Sequence, residues 1–114
     1  MHELSIAQSI VELAEQQALS HQATAIEELE LEIGALAGID MISLDFALQS
    51  AIKGSMLENA RIIKQRTSGE GRCGDCEHMF NVENLYTSCP FCGSYVVNII
   101  KGKELKIKSI VIKS

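Results

Sequence analysis

Cys73-Gly74-Asp75-Cys76 and Cys89-Pro90-Phe91-Cys92 give the spacing C-x2-C-x12-C-x2-C within a chain of 114 residues. Each pair reads as a short turn that aims two thiolates at one point. Four thiolates so aimed are the ligand set of a tetrahedral structural zinc, with Zn–S bonds of about 2.3 Å, and such a site leaves no open position for substrate. Residues 72 to 93 offer few large apolar side chains, among them Phe80, Val82, Leu85, Tyr86 and Phe91. That is too little to bury a core, so metal binding is expected to supply the folding energy of the segment.

Other readings of the cysteines are weaker. The knuckle formed by Cys89, Pro90, Phe91, Cys92 and Gly93 is shared with rubredoxin-type iron sites, but a single module with the short gap disfavours iron. Thioredoxin-like chemistry needs a C-x-x-C that opens a helix and so lowers a thiol pKa, and neither pair does. A zinc ribbon that binds nucleic acid or serves as an interaction module is the stronger rival, supported by Lys101, Lys103, Lys106, Lys108 and Lys113. Lysines alternating on the wet face of a strand explain that series more simply. His78 reads as an exposed loop histidine, with exchange for a cysteine ligand as the alternative.

Outward from the cysteines, Ser68, Gly69 and Gly71 mark a boundary. Residues 60 to 66 read as a strand, and residues 104 to 112 as a final β-rich run in which Leu105 and Ile107 alternate with Lys106 and Lys108. Further upstream, Glu28, Leu29, Glu30, Leu31, Glu32 and Ile33 alternate strictly, a strand with three glutamates on a wet face. Two helical patterns complete the chain. Residues 4 to 19 carry apolar side chains at helical spacing, and Asp40 is placed as the N-cap of a second helix that ends by Gly54.

The order predicts an α+β fold: two helices packed on a small mixed three-stranded sheet, with an inserted zinc-ribbon-like module of four cysteines. The first two strands are joined by a helical crossover and are expected to be parallel. Residues 1–68, completed by a C-terminal strand in 99–114, would form one domain, and residues 69–98 the zinc-binding domain.

Hydrophobic residues make up 46% of the chain and charged residues 22%, a globular composition. The net charge of −5 is unevenly spread: residues 1–52 hold nine acidic side chains and no lysine or arginine, while all ten basic residues and six acidic ones follow. An acidic front half argues against nucleic acid as the main partner, because phosphate neutralisation needs clustered cations. A solvated acidic face accounts for most of these carboxylates. With no apolar segment of spanning length and no secretory pattern at the start, the expectation is a cytoplasmic protein without membrane association, in a reducing compartment where paired cysteines bind metal rather than form disulfides.

Met1, His2 and Glu3 carry a second kind of metal chemistry. The α-amine of Met1, the deprotonated amide nitrogen of His2 and His2 Nδ1 close a five-membered and then a six-membered chelate ring around one ion. Planar nitrogen ligands suit Ni(II) or Cu(II). The Glu3 amide or carboxylate is placed to give the next ligand.

The Met1-His2-Glu3-Leu4-Ser5 start of an amphipathic helix, the strand ending in Gly34 and the two knuckles before a β-rich tail together resemble the HypA/HybF family of hydrogenase nickel-incorporation proteins. The resemblance covers essentially the whole chain. It implies a nickel metallochaperone rather than an enzyme, one that carries Ni(II) as cargo and zinc as a structural ion. It implies a HypB-type GTPase and the [NiFe] hydrogenase large subunit as partners, with a homodimer as a possible assembly. It further implies nickel ligation by His2 with Met1 and Glu3, Asp40 near that site, and zinc on Cys73, Cys76, Cys89 and Cys92. Where some members have a histidine directly after a knuckle, this chain has Glu77 and Gly93, which weakens any implied switching of zinc ligands.

Overall fold

A computed structural model describes residues 2 to 114, with His2 placed by its backbone alone. The elements are α1 (His2–Ser20), β1 (Ala25–Gly34), α2 (Met41–Ala51), β2 (Arg61–Thr67), β3 (Glu70–Cys73), β4 (Met79–Asn81), β5 (Val97–Lys101) and β6 (Leu105–Lys113). They form two three-stranded sheets, ordered β2-β1-β6 and β4-β3-β5. The chain divides into two compact units. The first comprises 1–31, 39–64 and 106–114, and the second 32–38 and 65–105.

In the first unit, α1 buries Ala7, Ile10, Val11, Ala14 and Ala18, a stripe at helical spacing. The stripe is narrower than its apolar content suggests, because Leu4, Leu13 and Leu19 are exposed. The helix stops where Gln22 turns left-handed at φ 59°. The Ala23 N–H reaches back to the Ala18 carbonyl at 3.0 Å and Gln22 N–H to Leu19 at 3.0 Å, the hydrogen bonds of a Schellman stop. Helix α2 begins where sequence places it: Asp40 Oδ1 accepts from the N–H groups of Ile42 (3.1 Å) and Ser43 (3.4 Å). Its buried side chains are Leu44, Ala47 and Leu48, and the two helices pack on each other.

Strand β1 keeps the predicted alternation, with Leu29, Leu31 and Ile33 buried, and extends beyond it at both ends. Ile26 is also buried. It lies three residues from Leu29, so the alternation slips phase across Glu27 and Glu28. Thr24 N–H bonds the Lys113 carbonyl and Gly34 N–H bonds that of Glu104, so β6 runs antiparallel to β1. Glu28 pairs with Arg61 near the start of β2 and Ala35 N–H bonds Thr67 at its end, so β2 runs parallel. The sheet is therefore mixed.

The glutamates of β1 are not simply solvated. Glu28, Glu30 and Glu32 are each half-buried. Arg61 lies 3.8 Å from Glu28 and Lys108 3.9 Å from Glu30, while Thr67 Oγ1 donates to Glu32 at 3.2 Å. In the same unit Lys64 lies 2.6 Å from Asp45. Each of these ion pairs joins an acid from the first 52 residues to a base from the remainder. The charge asymmetry of the sequence thus serves in part to neutralise one sheet face across its strands.

In the second unit, β3 is flanked by β4 and β5, both antiparallel, with Gly71 opposite Phe80 on one side and Ile99 on the other. The strands are three to five residues long. Sequence periodicity does not resolve elements so short. Strand β5 ends at Gly102, whose φ of +118° is open to glycine alone, and a Cβ there would lie 2.6 Å from Gly69 Cα. A Cβ on Gly34 would in turn collide with the Gly102 carbonyl. Three backbone segments therefore meet in contact, and side chains are excluded between them.

Candidate metal centre

The knuckles repeat one hydrogen-bond pattern sixteen residues apart. The Cys73 N–H donates to the His78 carbonyl (2.9 Å) and the Cys89 N–H to that of Ser94 (2.8 Å); Glu77 N–H returns to Cys73 (3.0 Å) and Gly93 N–H to Cys89 (2.8 Å). Glu77 and Gly93, the matching fifth positions, are both left-handed, at φ 65° and 78°. Left-handed backbone at this point curls each turn so that both of its sulfurs face inward.

The outcome is a cluster in which the Sγ atoms of Cys73, Cys76, Cys89 and Cys92 all lie within 4.8 Å of one another. Two contacts cross between the knuckles, Cys73–Cys92 and Cys76–Cys89, each at 3.5 Å. Tetrahedral ligands with metal–sulfur bonds of about 2.3 Å stand about 3.8 Å apart, so these sulfurs fit one metal ion. Backbone N–H groups of Asp75 and Cys76 point at Cys73 Sγ and that of Phe91 at Cys89 Sγ, each at 3.4 Å. Such donors stabilise thiolate charge. Cys73 and Cys89 are buried, Cys76 half-buried and Cys92 exposed.

As thiols, Cys73, Cys76 and Cys92 hold their protons unequally. Backbone donation from Cys76, joined by Asp75, brings Cys73 down to about 6. At Cys76 the His78 backbone contact pulls downward, but burial and the neighbouring thiols of Cys89, Cys73 and Cys92 outweigh it and push the group up to about 12. Cys92 is also raised, with the Ser94 backbone contact opposing and Cys73 contributing to the rise. Crowding of this kind resists four simultaneous negative charges. A divalent cation at the centre removes that resistance, which is why metal binding and proton release are linked.

Two side-chain contacts also join the knuckles. Ser94 Oγ donates to Asp75 Oδ2 at 2.5 Å, and the His78 ring stacks on Phe91 with centroids 4.2 Å apart and planes inclined by 19°. His78 Nδ1 lies 3.3 Å from Cys76 Sγ. Sequence alone places His78 in an exposed loop, with exchange for a cysteine ligand as the alternative, and gives Asp75 and Ser94 no role. The sixteen-residue offset between the C-x-x-C pairs was the available signal, since it makes Asp75 equivalent to Phe91 and His78 equivalent to Ser94.

At the other candidate site, Met1 lies outside the described residues, as does the side chain of His2. Glu3 stands in the first turn of α1, and its Oε2 accepts from the Asp40 N–H at 3.2 Å. That donor leads the causes that hold the Glu3 carboxyl below its ordinary value of 4.5. The Asp40 carboxylate is meanwhile engaged with the first N–H groups of α2. Beside Glu3 lies an open, largely apolar groove of about 540 Å³ formed with Leu4, Ile42 and Phe46. Ile42 and Phe46 are 82% and 77% exposed, so the groove is a surface of the first unit rather than part of its core.

A small α+β protein with four thiols placed to hold one metal ion fits several classes of metal-binding protein, and comparison with known proteins narrows the choice. A family model described as hydrogenase/urease nickel incorporation, metallochaperone, hypA matches residues 1–112. The hydrogenase maturation factor HypA of Parabacteroides distasonis is 62% identical over 113 residues, covering 99% of this chain and 98% of the relative. That of Prosthecochloris aestuarii is 41% identical, covering 99% and 100%. The solution structure of the Ni metallochaperone HypA from Helicobacter pylori aligns with a TM-score of 0.71 at 27% identity, covering 98% of this chain and 97% of that one. The solution structure of another HypA protein gives 0.72 at 30%, covering 98% and 96%. The chain belongs to the HypA family of nickel metallochaperones for hydrogenase maturation.

Proposed function

We propose that the chain binds one Ni(II) ion through Met1, His2 and Glu3, with Asp40 beside them, and delivers it to the [NiFe] hydrogenase large subunit together with a HypB-type GTPase. The observation that carries this reading is the bond from the Asp40 N–H to Glu3, which ties the first turn of α1 to the start of α2. A ligand set on a free chain end loses conformational entropy on closing around a metal, and an anchored Glu3 lessens that loss. Glu3 also stays ionised as pH falls below the usual carboxylate range, ready to act as ligand or to balance the charge of the ion.

In this reading the division of labour follows the chain, with 1–68 and the C-terminal strand carrying nickel and 69–98 carrying zinc on Cys73, Cys76, Cys89 and Cys92. Bound zinc would supply the folding free energy of its segment. The work is then binding and release rather than catalysis. We place it in the cytoplasm, and among the described residues no helix is long and apolar enough to cross a membrane. A nucleic-acid role is disfavoured because Lys108 faces Glu30, leaving that strand face partly neutralised.

Calorimetry with Ni(II) on untagged protein is expected to show one site per chain, lost in His2→Ala and sharply weakened by a single added N-terminal residue. Wild-type binding by both variants would rule out the terminal site. Metal analysis of the purified protein is expected to find one zinc per chain before nickel is added.

A further inference from the structure

Position for position, the contacts between the knuckles are reciprocal. The third residue of each turn, Asp75 or Phe91, meets the sixth residue of the other, Ser94 or His78, once as a hydrogen bond and once as a ring stack. The two clasps differ in one respect. Asp75 and Ser94 bond to each other, and Ser94 Oγ also accepts from the Val96 N–H at 3.0 Å. His78, by contrast, lies against a metal-binding sulfur, Cys76 Sγ.

Loss of metal from a four-thiolate site proceeds by ligand exchange: an incoming donor takes up the ion as one thiolate leaves and accepts a proton. The first thiolate to leave must be one the donor can reach. Cys73 and Cys89 are each 1% exposed, which leaves Cys76 and Cys92. His78 Nδ1 lies 3.3 Å from Cys76 Sγ, on the side from which that sulfur is reached, and the His78 ring is in turn stacked on Phe91.

We propose that the His78–Phe91 stack is a latch on the metal site, a pair of positioning residues that sets how fast a bound metal is lost through the Cys76–Cys92 edge. This rests on the reading of the four cysteines as a zinc site. The side chains of the Asp75–Ser94 clasp bond to each other rather than to a sulfur, and only the Asp75 backbone N–H reaches one, the buried Cys73, so this clasp affects exchange at the exposed edge less.

The test uses full-length zinc-loaded protein mixed with excess chromogenic chelator, with iodoacetamide alkylation followed by mass spectrometry. His78→Ala and Phe91→Ala are each expected to release zinc roughly two- to tenfold faster, the range set by loss of one aromatic pair. Phe91→Tyr, which keeps the stack, should restore the wild-type rate, and Ser94→Ala should change it less than either alanine variant. Alkylation should reach Cys76 and Cys92 before Cys73 and Cys89. Wild-type release rates in both His78→Ala and Phe91→Ala, or first modification at Cys73 or Cys89, would overturn the latch. One zinc per chain with unchanged rates removes the latch but leaves the zinc site standing; protein isolated without zinc removes both.

Discussion

The two units are stabilised by different physics. Among the described residues, thirteen apolar side chains are buried in the first, from Ala7 and Ile10 on α1 through Leu29 and Leu31 on β1 to Leu44, Leu48 and Leu57. The second buries only Ile33, Leu36, Val82 and the two thiols Cys73 and Cys89. Burial at about 25 cal/mol per Å² sustains a helix pair on a sheet, but three aliphatic side chains and two thiols do not offset the chain entropy of the roughly fifty residues of the second unit. The contrast is what a metal-dependent second unit beside a hydrocarbon-stabilised first unit would look like, and the four clustered thiols could hold such a metal.

Removing the metal should break the comparison most severely. Chelation, or Cys73→Ser, forfeits a binding free energy of about 10–16 kcal/mol in comparable zinc modules. Amides of β3, β4 and β5 are expected to lose hydrogen-exchange protection while those of α1 and α2 keep theirs. Simultaneous loss in both units would show that the apolar core does not stand without the thiolate site. Leu29→Ala is the converse experiment, expected to cost the first unit about 2–5 kcal/mol in chemical denaturation through the cavity it leaves. Zinc content should be unchanged by it.

Smaller effects sharpen the contrast within each unit. Asp40→Ala removes the cap of α2 and should cost about 1 kcal/mol, measured by thermal melting. Glu77→Gly places glycine where the second knuckle already has Gly93 and relieves a left-handed backbone, at the loss of an exposed pair with Arg72. It is expected to stabilise the metal-bound second unit by up to about 1 kcal/mol. The smallest effect is that of Glu3. Its pKa is lowered in the folded chain, so its contribution is present above the ordinary value of 4.5 and lost as pH falls through the lower folded value. NMR titration of Glu3 against the Asp40 amide should show a midpoint below 4.5, and Asp40→Pro, lacking the donor, should raise it.

Local rules made several features legible in advance. The alternation of Leu29, Leu31 and Ile33 marked a strand, Asp40 marked a helix start, and the cysteine spacing marked a metal site. Each depends on neighbours within a few residues, where chain geometry fixes which side chains share a face. The strands β3 to β5 were not legible, because three to five residues show no usable period and their pairing is decided by the turns around Cys73 and Cys89.

By itself, then, the sequence determined the α+β order, the pairing of four cysteines at metal-ligand spacing and the unusual Met1-His2-Glu3 start. Only tertiary structure decided that Glu28 meets Arg61, that Glu30 meets Lys108, and that His78 rests on Phe91. Those partners lie from 13 to 78 residues apart in the chain. No local pattern encodes such pairs; they follow from how strands are ordered and turns are curled, and that ordering is set by burial over the whole chain.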